Sequence, residues 1–173
     1  MLEVGSNFVF KTYAKINLFL DVIGDRDDGY HNIVSLFQNI SLYDLMNIEI
    51  IRSGLKIESN VNIEDNILDR VYENYCRKFG EPDVGFKIAL TKHIPIGGGF
   101  GGGSSNAAAF IDFLCKTGGR DKSVRYKIAS EIGSDVPFFL DGGTAFVKGR
   151  GEMIEKLNPI KGYYATIRMP QNP

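Results

Sequence analysis

The chain has 173 residues, 43% of them apolar and 24% charged, with a formal net charge of -1. That much apolar material in an ordinary domain length excludes a disordered chain, and near-neutrality excludes a broad electrostatic grip on nucleic acid or an anionic membrane, so any anion site must be local. No stretch approaches the ~18 apolar residues of a membrane span, and the two cysteines, Cys76 and Cys115, fit no zinc spacing and read as reduced core thiols of a cytoplasmic protein.

Phe8 to Leu20 is β-rich, and Val22-Ile23 runs into a polar turn cluster from Gly24 to Gly29. Ile33 to Phe37 is strand-like, and Leu45 to Arg52 and Leu55 to Glu58 flank Ser53-Gly54 as a hairpin would. Asn66 to Phe79 is the clearest helix, with Ile67, Leu68, Val71, Tyr72, Tyr75 and Phe79 on one face, Asp65 as N-cap and Gly80 as stop. Phe86 to Leu90 alternates as a strand with one buried face. Helices follow from about Ser105 to Lys116 and from about Ser123 to Ile132, then strands over Thr144 to Lys148, Met153 to Leu157 and Tyr163 to Arg168. This order does not alternate as a doubly wound parallel fold would. It implies an α+β fold with a mixed or largely antiparallel sheet backed by helices.

Between the Phe86–Leu90 strand and the next helix lies Pro95-Ile96-Gly97-Gly98-Gly99-Phe100-Gly101-Gly102-Gly103-Ser104-Ser105. Glycines let successive backbone N–H groups converge on one anion, and the following helix start adds unpaired N–H groups and a positive dipole end. A flexible linker is the plain alternative, against which stand the strand and helix that clamp the run. No Gly-Lys-Ser/Thr closes it, so it is not a Walker A loop, and a phosphate held here would take its cation from elsewhere.

Lys15, within the apolar Tyr13 to Leu20, is the leading candidate, with Asn17 on the same face; an outward strand lysine is the plain alternative. Asp135, just past a helix end, reads as a turn residue or as a general base. Tyr30 and His31 offer a flat ring and an imidazole together, suited to a nucleobase or to local packing, and Glu64-Asp65-Asn66 reads as a helix cap.

The pieces Ala14-Lys15-Ile16-Asn17-Leu18, Asp28-Gly29-Tyr30-His31 with Phe37-Gln38, Glu64-Asp65-Asn66, Pro95 to Ala109, and Gly133-Ser134-Asp135-Val136-Pro137-Phe138-Phe139 with Gly142-Gly143 resemble, in this order, the GHMP kinases: galacto-, homoserine, mevalonate and phosphomevalonate kinases. The Ala-Lys-Ile-Asn-Leu and Asp-Gly-Tyr-His pieces narrow the resemblance to members that phosphorylate the 2-hydroxyl of 4-diphosphocytidyl-2-C-methyl-D-erythritol in the non-mevalonate isoprenoid pathway. Phe100 stands where the family usually has Leu.

The resemblance implies the GHMP kinase N-terminal domain, similar to domain 2 of ribosomal protein S5, for residues 1–173. It also implies that the family continues into a second domain with a further Gly-rich phosphate loop, so that residues 1–173 alone would bind ATP weakly with little turnover. Pro95 to Ser105 would wrap the ATP phosphates, Asp135 would take or polarise the hydroxyl proton, and Lys15 would lie beside Asp135 and support the nucleophile. Asn17 would position the substrate, Tyr30 and His31 would recognise its cytosine, and Asn66 would lie near the adenine. Mg²⁺ would accompany ATP, with no protein metal cluster of its own. Rival readings are another small-alcohol kinase, of mevalonate or homoserine type, and a nucleotide-binding module without catalysis. Nucleic-acid binding by analogy with ribosomal protein S5 is disfavoured by the charge.

Overall fold

The computed structural model describes residues 2–25, 29 and 31–168. Two long strands, β1 (Asn7–Asp25) and β2 (His31–Ile51), form an antiparallel ribbon along their whole length. The other edge of β2 is shared: β4 (Gly85–Thr91) pairs antiparallel with its C-terminal part and β5 (Thr144–Gly149) with its N-terminal part. β3 (Leu55–Ser59) lies outside β4 and β6 (Met153–Leu157) outside β5, giving the order β3-β4-β2-β5-β6 with β1 on the free edge of β2.

The expected hairpin across Ser53-Gly54 is not formed. β3 pairs in parallel with β4, not with β2. Short-range turn chemistry was outvoted by a non-local strand: β4, alternately buried at Phe86, Ile88 and Leu90, takes the place beside β2 and buries those side chains against the helices. Residues 163–168 are not a strand either, and Tyr163 and Tyr164 stand exposed. They pair with no strand among the described residues, so their β propensity has nothing to pack on.

α1 (Ile67–Phe79), α2 (Gly102–Thr117) and α3 (Lys122–Ile132) cover one face of the sheet. α1 buries Leu68, Val71 and Tyr75, as its apolar stripe requires, and Gly80 ends it. Its N-cap is Asn66 rather than Asp65: the Asn66 side chain accepts from the Leu68 N–H at 3.1 Å, while Asp65 adopts a φ of 50°. α2 is apolar around most of its circumference and runs through the core. Cys76 and Cys115 are free thiols, but only Cys115 lies in the core, where burial pushes its thiol up to about 11; Cys76, expected there too, is half-buried.

A smaller second core, Phe37, Phe138, Ala145 and Val147, forms where α4 (Val136–Phe139) meets the other half of the β1–β2 ribbon. The two cores meet at a break in register. Tyr13 pairs Tyr43 but Lys15 pairs Asn39, so Ala14 lies opposite residues 40–42. The break changes phase in both strands. β2 buries Ser35 and Phe37 before it and Asp44, Met46, Ile48 and Ile50 after it; β1 buries Thr12 and Ala14, then Lys15 directly.

Candidate active site

Lys15 emerges at that break, 4% exposed. Its Nζ lies 3.3 Å from Asp135 Oδ2, donates to Asn17 Oδ1 at 3.0 Å, and sits 4.3 Å from the centroid of the Phe37 ring. The lysine therefore faces inward, and Asn17 shares its face. Asp135 occupies the N-cap position of α4 but forms no side-chain capping bond, and its side chain keeps 29% exposure. Sequence reading took Asp135 for a residue trailing one helix. It also opens the next short one, which Pro137 near the first turn favours. A carboxylate part-open to solvent beside an ammonium is placed to accept a proton from an incoming hydroxyl.

The glycine run reaches the same residue. The Lys15 backbone N–H donates to the Phe100 carbonyl at 2.9 Å. Gly97, Gly99 and Gly101 take positive φ in alternation, the kind of backbone pattern by which nests turn successive N–H groups toward one concave side. A Cβ at Gly97 or Gly99 would meet nothing within 4 Å, so that side is open. Gly101 is confined: at φ +70° it caps α2, and a Cβ there would lie 2.5 Å from Phe139 Cζ and 3.4 Å from Lys15 Cγ. Only glycine fits both demands. The first turn of α2 carries no side-chain cap and no acidic residue, so its N–H groups are left for an anion.

Pro95 to Ser104 line a cavity of about 320 Å³ that also takes in Asn66 from the start of α1. Ser105 is buried in α2, where its N–H donates to Gly101 O at 2.8 Å. A larger hollow of about 540 Å³, between the ends of α1 and α2 and lined by Phe79 and Arg120, lies away from the Lys15–Asp135 pair. His31 lies at the far end of the β1–β2 ribbon, opposite Asp25, whose carboxylate its Nδ1 meets at 2.8 Å. It lies six positions along the strand from Phe37, roughly 20 Å, so it does not join the lysine–aspartate pair. Tyr30 and Asp28 lie outside the described residues.

Sequence reading missed a second lysine at the cavity. Lys92 lines it, and its Nζ would lie 3.2 Å from a Cβ on Gly102. It pairs with Asp44, which is 0% exposed, and donates to Asn106 Oδ1 at 2.9 Å. The available signals were an aspartate set alone in the apolar Leu42 to Met46 and a lysine three residues ahead of Pro95.

Residues 66–143 match the model of the GHMP kinases N terminal domain. The chain is 54% identical over 171 residues to a 4-diphosphocytidyl-2-C-methyl-D-erythritol kinase of Thermosipho africanus, covering 99% of this chain and 62% of that protein. It is 49% identical over 160 residues to the one of Thermotoga maritima, covering 92% of this chain and 59% of that protein. The chain thus spans about three fifths of the length of these relatives. A crystal structure of 4-(cytidine 5'-diphospho)-2C-methyl-D-erythritol kinase superposes with a TM-score of 0.75 at 37% identity, covering 87% of this chain and 55% of that one. The mevalonate kinase of Methanococcus jannaschii, at 18% identity and a TM-score of 0.62 over 91% of this chain and 57% of its own, shares the fold. Among the described residues, no helix is long and apolar enough to cross a membrane.

Proposed function

The chain carries the GHMP kinase N-terminal domain, and from that premise we propose that its protein is an ATP-dependent kinase of the 2-hydroxyl of 4-diphosphocytidyl-2-C-methyl-D-erythritol, acting in the cytoplasm. Residues 1–173 serve as its ATP-binding domain. The observation that carries this reading is one residue, Lys15, which joins the phosphate loop through its backbone and the candidate base through its ammonium. The names of the relatives support the substrate.

In this mechanism the N–H groups of residues 97–104 bind the phosphate oxygens, and Asn66 lies by the adenine. Asn17 and Lys15 orient the substrate hydroxyl beside Asp135. Asp135 accepts its proton as the new oxygen–phosphorus bond forms and the bond to the departing ADP breaks. Lys15 offsets charge that grows on the transferred group. Tyr30 and His31 read the cytosine, and His31 stands at the start of β2. Mg²⁺ is a hard cation that takes a few oxygen donors and keeps several waters, so one protein hydroxyl beside the phosphate oxygens fits it. Ser104, which lines the cavity, would hold it through its hydroxyl beside the phosphates. When bound it would neutralise phosphate charge.

The test is ADP release by the purified protein with the cytidylyl substrate, mevalonate or homoserine as acceptor. Turnover with the cytidylyl compound alone is expected. Turnover with mevalonate or homoserine in its place would overturn the reading.

A further inference from the structure

We propose, on the reading that the glycine run holds nucleotide phosphate, that Asp44 is a positioning residue that fixes the shape of that run from within the core. A glycine loop has no side chains with which to hold itself, and each glycine has more backbone freedom to lose than any other residue. Its shape must therefore be imposed at its flanks. Asp44 reaches both. Its Oδ1 accepts from the N–H groups of His93 and Ile94, each at 2.8 Å, where the chain leaves β4 for the loop. Its Oδ2 takes the Lys92 ammonium and the Asn106 side-chain amide, the latter at 3.3 Å, on the second turn of α2.

Asn106 carries the tie further. Its Nδ2 donates to Thr12 Oγ1 at 2.6 Å, and Thr12 Oγ1 donates to the Asp44 carbonyl at 3.3 Å, so β1, β2, the loop entry and α2 share one buried knot. Burying a charged pair is weak evidence for stability, because desolvation offsets most of the attraction. What the knot supplies is geometry: two consecutive backbone N–H groups and one ammonium aimed at a fixed point. That point holds Lys92 where it lines the cavity.

The experiment measures ATP and AMP affinity by calorimetry for the full chain and for Asp44→Asn and Asn106→Ala. Asparagine keeps the shape of Asp44, and alanine is the better helix former at position 106. Asp44→Asn is expected to weaken ATP about tenfold, and Asn106→Ala several-fold, with AMP changed less than about twofold, because only the extra phosphates depend on the loop. Equal ATP affinity in the folded variants, or equal losses for ATP and AMP, overturns the inference. If Asp44→Asn does not fold, Asn106→Ala decides alone.

If the unaltered chain binds no ATP, the proposed function falls separately, and amide exchange then decides the positioning role. Exchange across residues 92–103 about tenfold faster in Asn106→Ala, with β1–β2 amides unchanged, supports it. No local change overturns it.

Discussion

Two lysine–aspartate pairs touch the glycine run at adjacent residues, Lys15–Asp135 beside Gly101 and Asp44–Lys92 beside Gly102. Asp135 has a salt bridge to Lys15 and keeps 29% of its side chain in the open. Asp44 is sealed, and both of its oxygens are committed to partners on four residues: His93, Ile94, Lys92 and Asn106. The same two residue types therefore serve opposite ends. A carboxylate with lone pairs to spare beside a cavity can take a proton, whereas one whose lone pairs are spent can only hold atoms still. Burial and partner count separate reagent from strut, and residue type does not.

That contrast breaks most sharply at Asp135. In the proposed kinase, Asp135→Asn should lower the turnover rate about 100- to 10,000-fold, the range for losing a general base, while urea unfolding stays as in the unaltered protein. A comparable loss of stability would place Asp135 with the struts. Asp44→Ala should act on stability, costing about 3–5 kcal/mol in urea unfolding because it takes the carboxylate partner from the buried Lys92 ammonium. A third probe lies between the pairs: Gly101→Ala should cost about 2–4 kcal/mol, from the positive φ and the overlap with Phe139, read as a lower Tm.

The smallest effect concerns a second saturated carboxylate. Burial pushes the Asp141 carboxyl up, but hydrogen bonds from Lys156 and Tyr126 and the charges of Lys156 and Lys122 outweigh it and hold the group at about 2. Arg125 adds a bond at 2.9 Å. A carboxyl lowered on folding stabilises the fold above its unfolded value, near 3.9, and the contribution fades as pH falls toward 2. Urea unfolding from pH 5 down to pH 2 should show a loss of roughly 2 kcal/mol from this group, absent in Asp141→Asn.

The helix stripe from Ile67 to Phe79 and the alternation from Phe86 to Leu90 were legible because each signal is local and periodic. So was the shared face of Lys15 and Asn17, two residues apart on one strand. Partner choice was not legible. The Leu55 segment joins β4 through a pairing set by how the apolar faces stack, which no turn dipeptide records. The inward aim of Lys15 was open for the same kind of reason, since it depends on where β2 gains residues against β1. Asp44 and Lys92 lie 48 positions apart and meet only once β4 lies against β2.

The register break between β1 and β2 also bears on how such a sequence can drift over descent. Point changes in the strands leave their phase alone. Gain or loss of one residue at Ala14 or within residues 40–42 would turn either the Thr12–Asp44 set or the Lys15–Phe37 set outward. Spacing is then the inherited quantity there. Lineages should conserve the distance along the chain from Thr12 to Lys15, and from Phe37 to Asp44, more strictly than the residues that fill it.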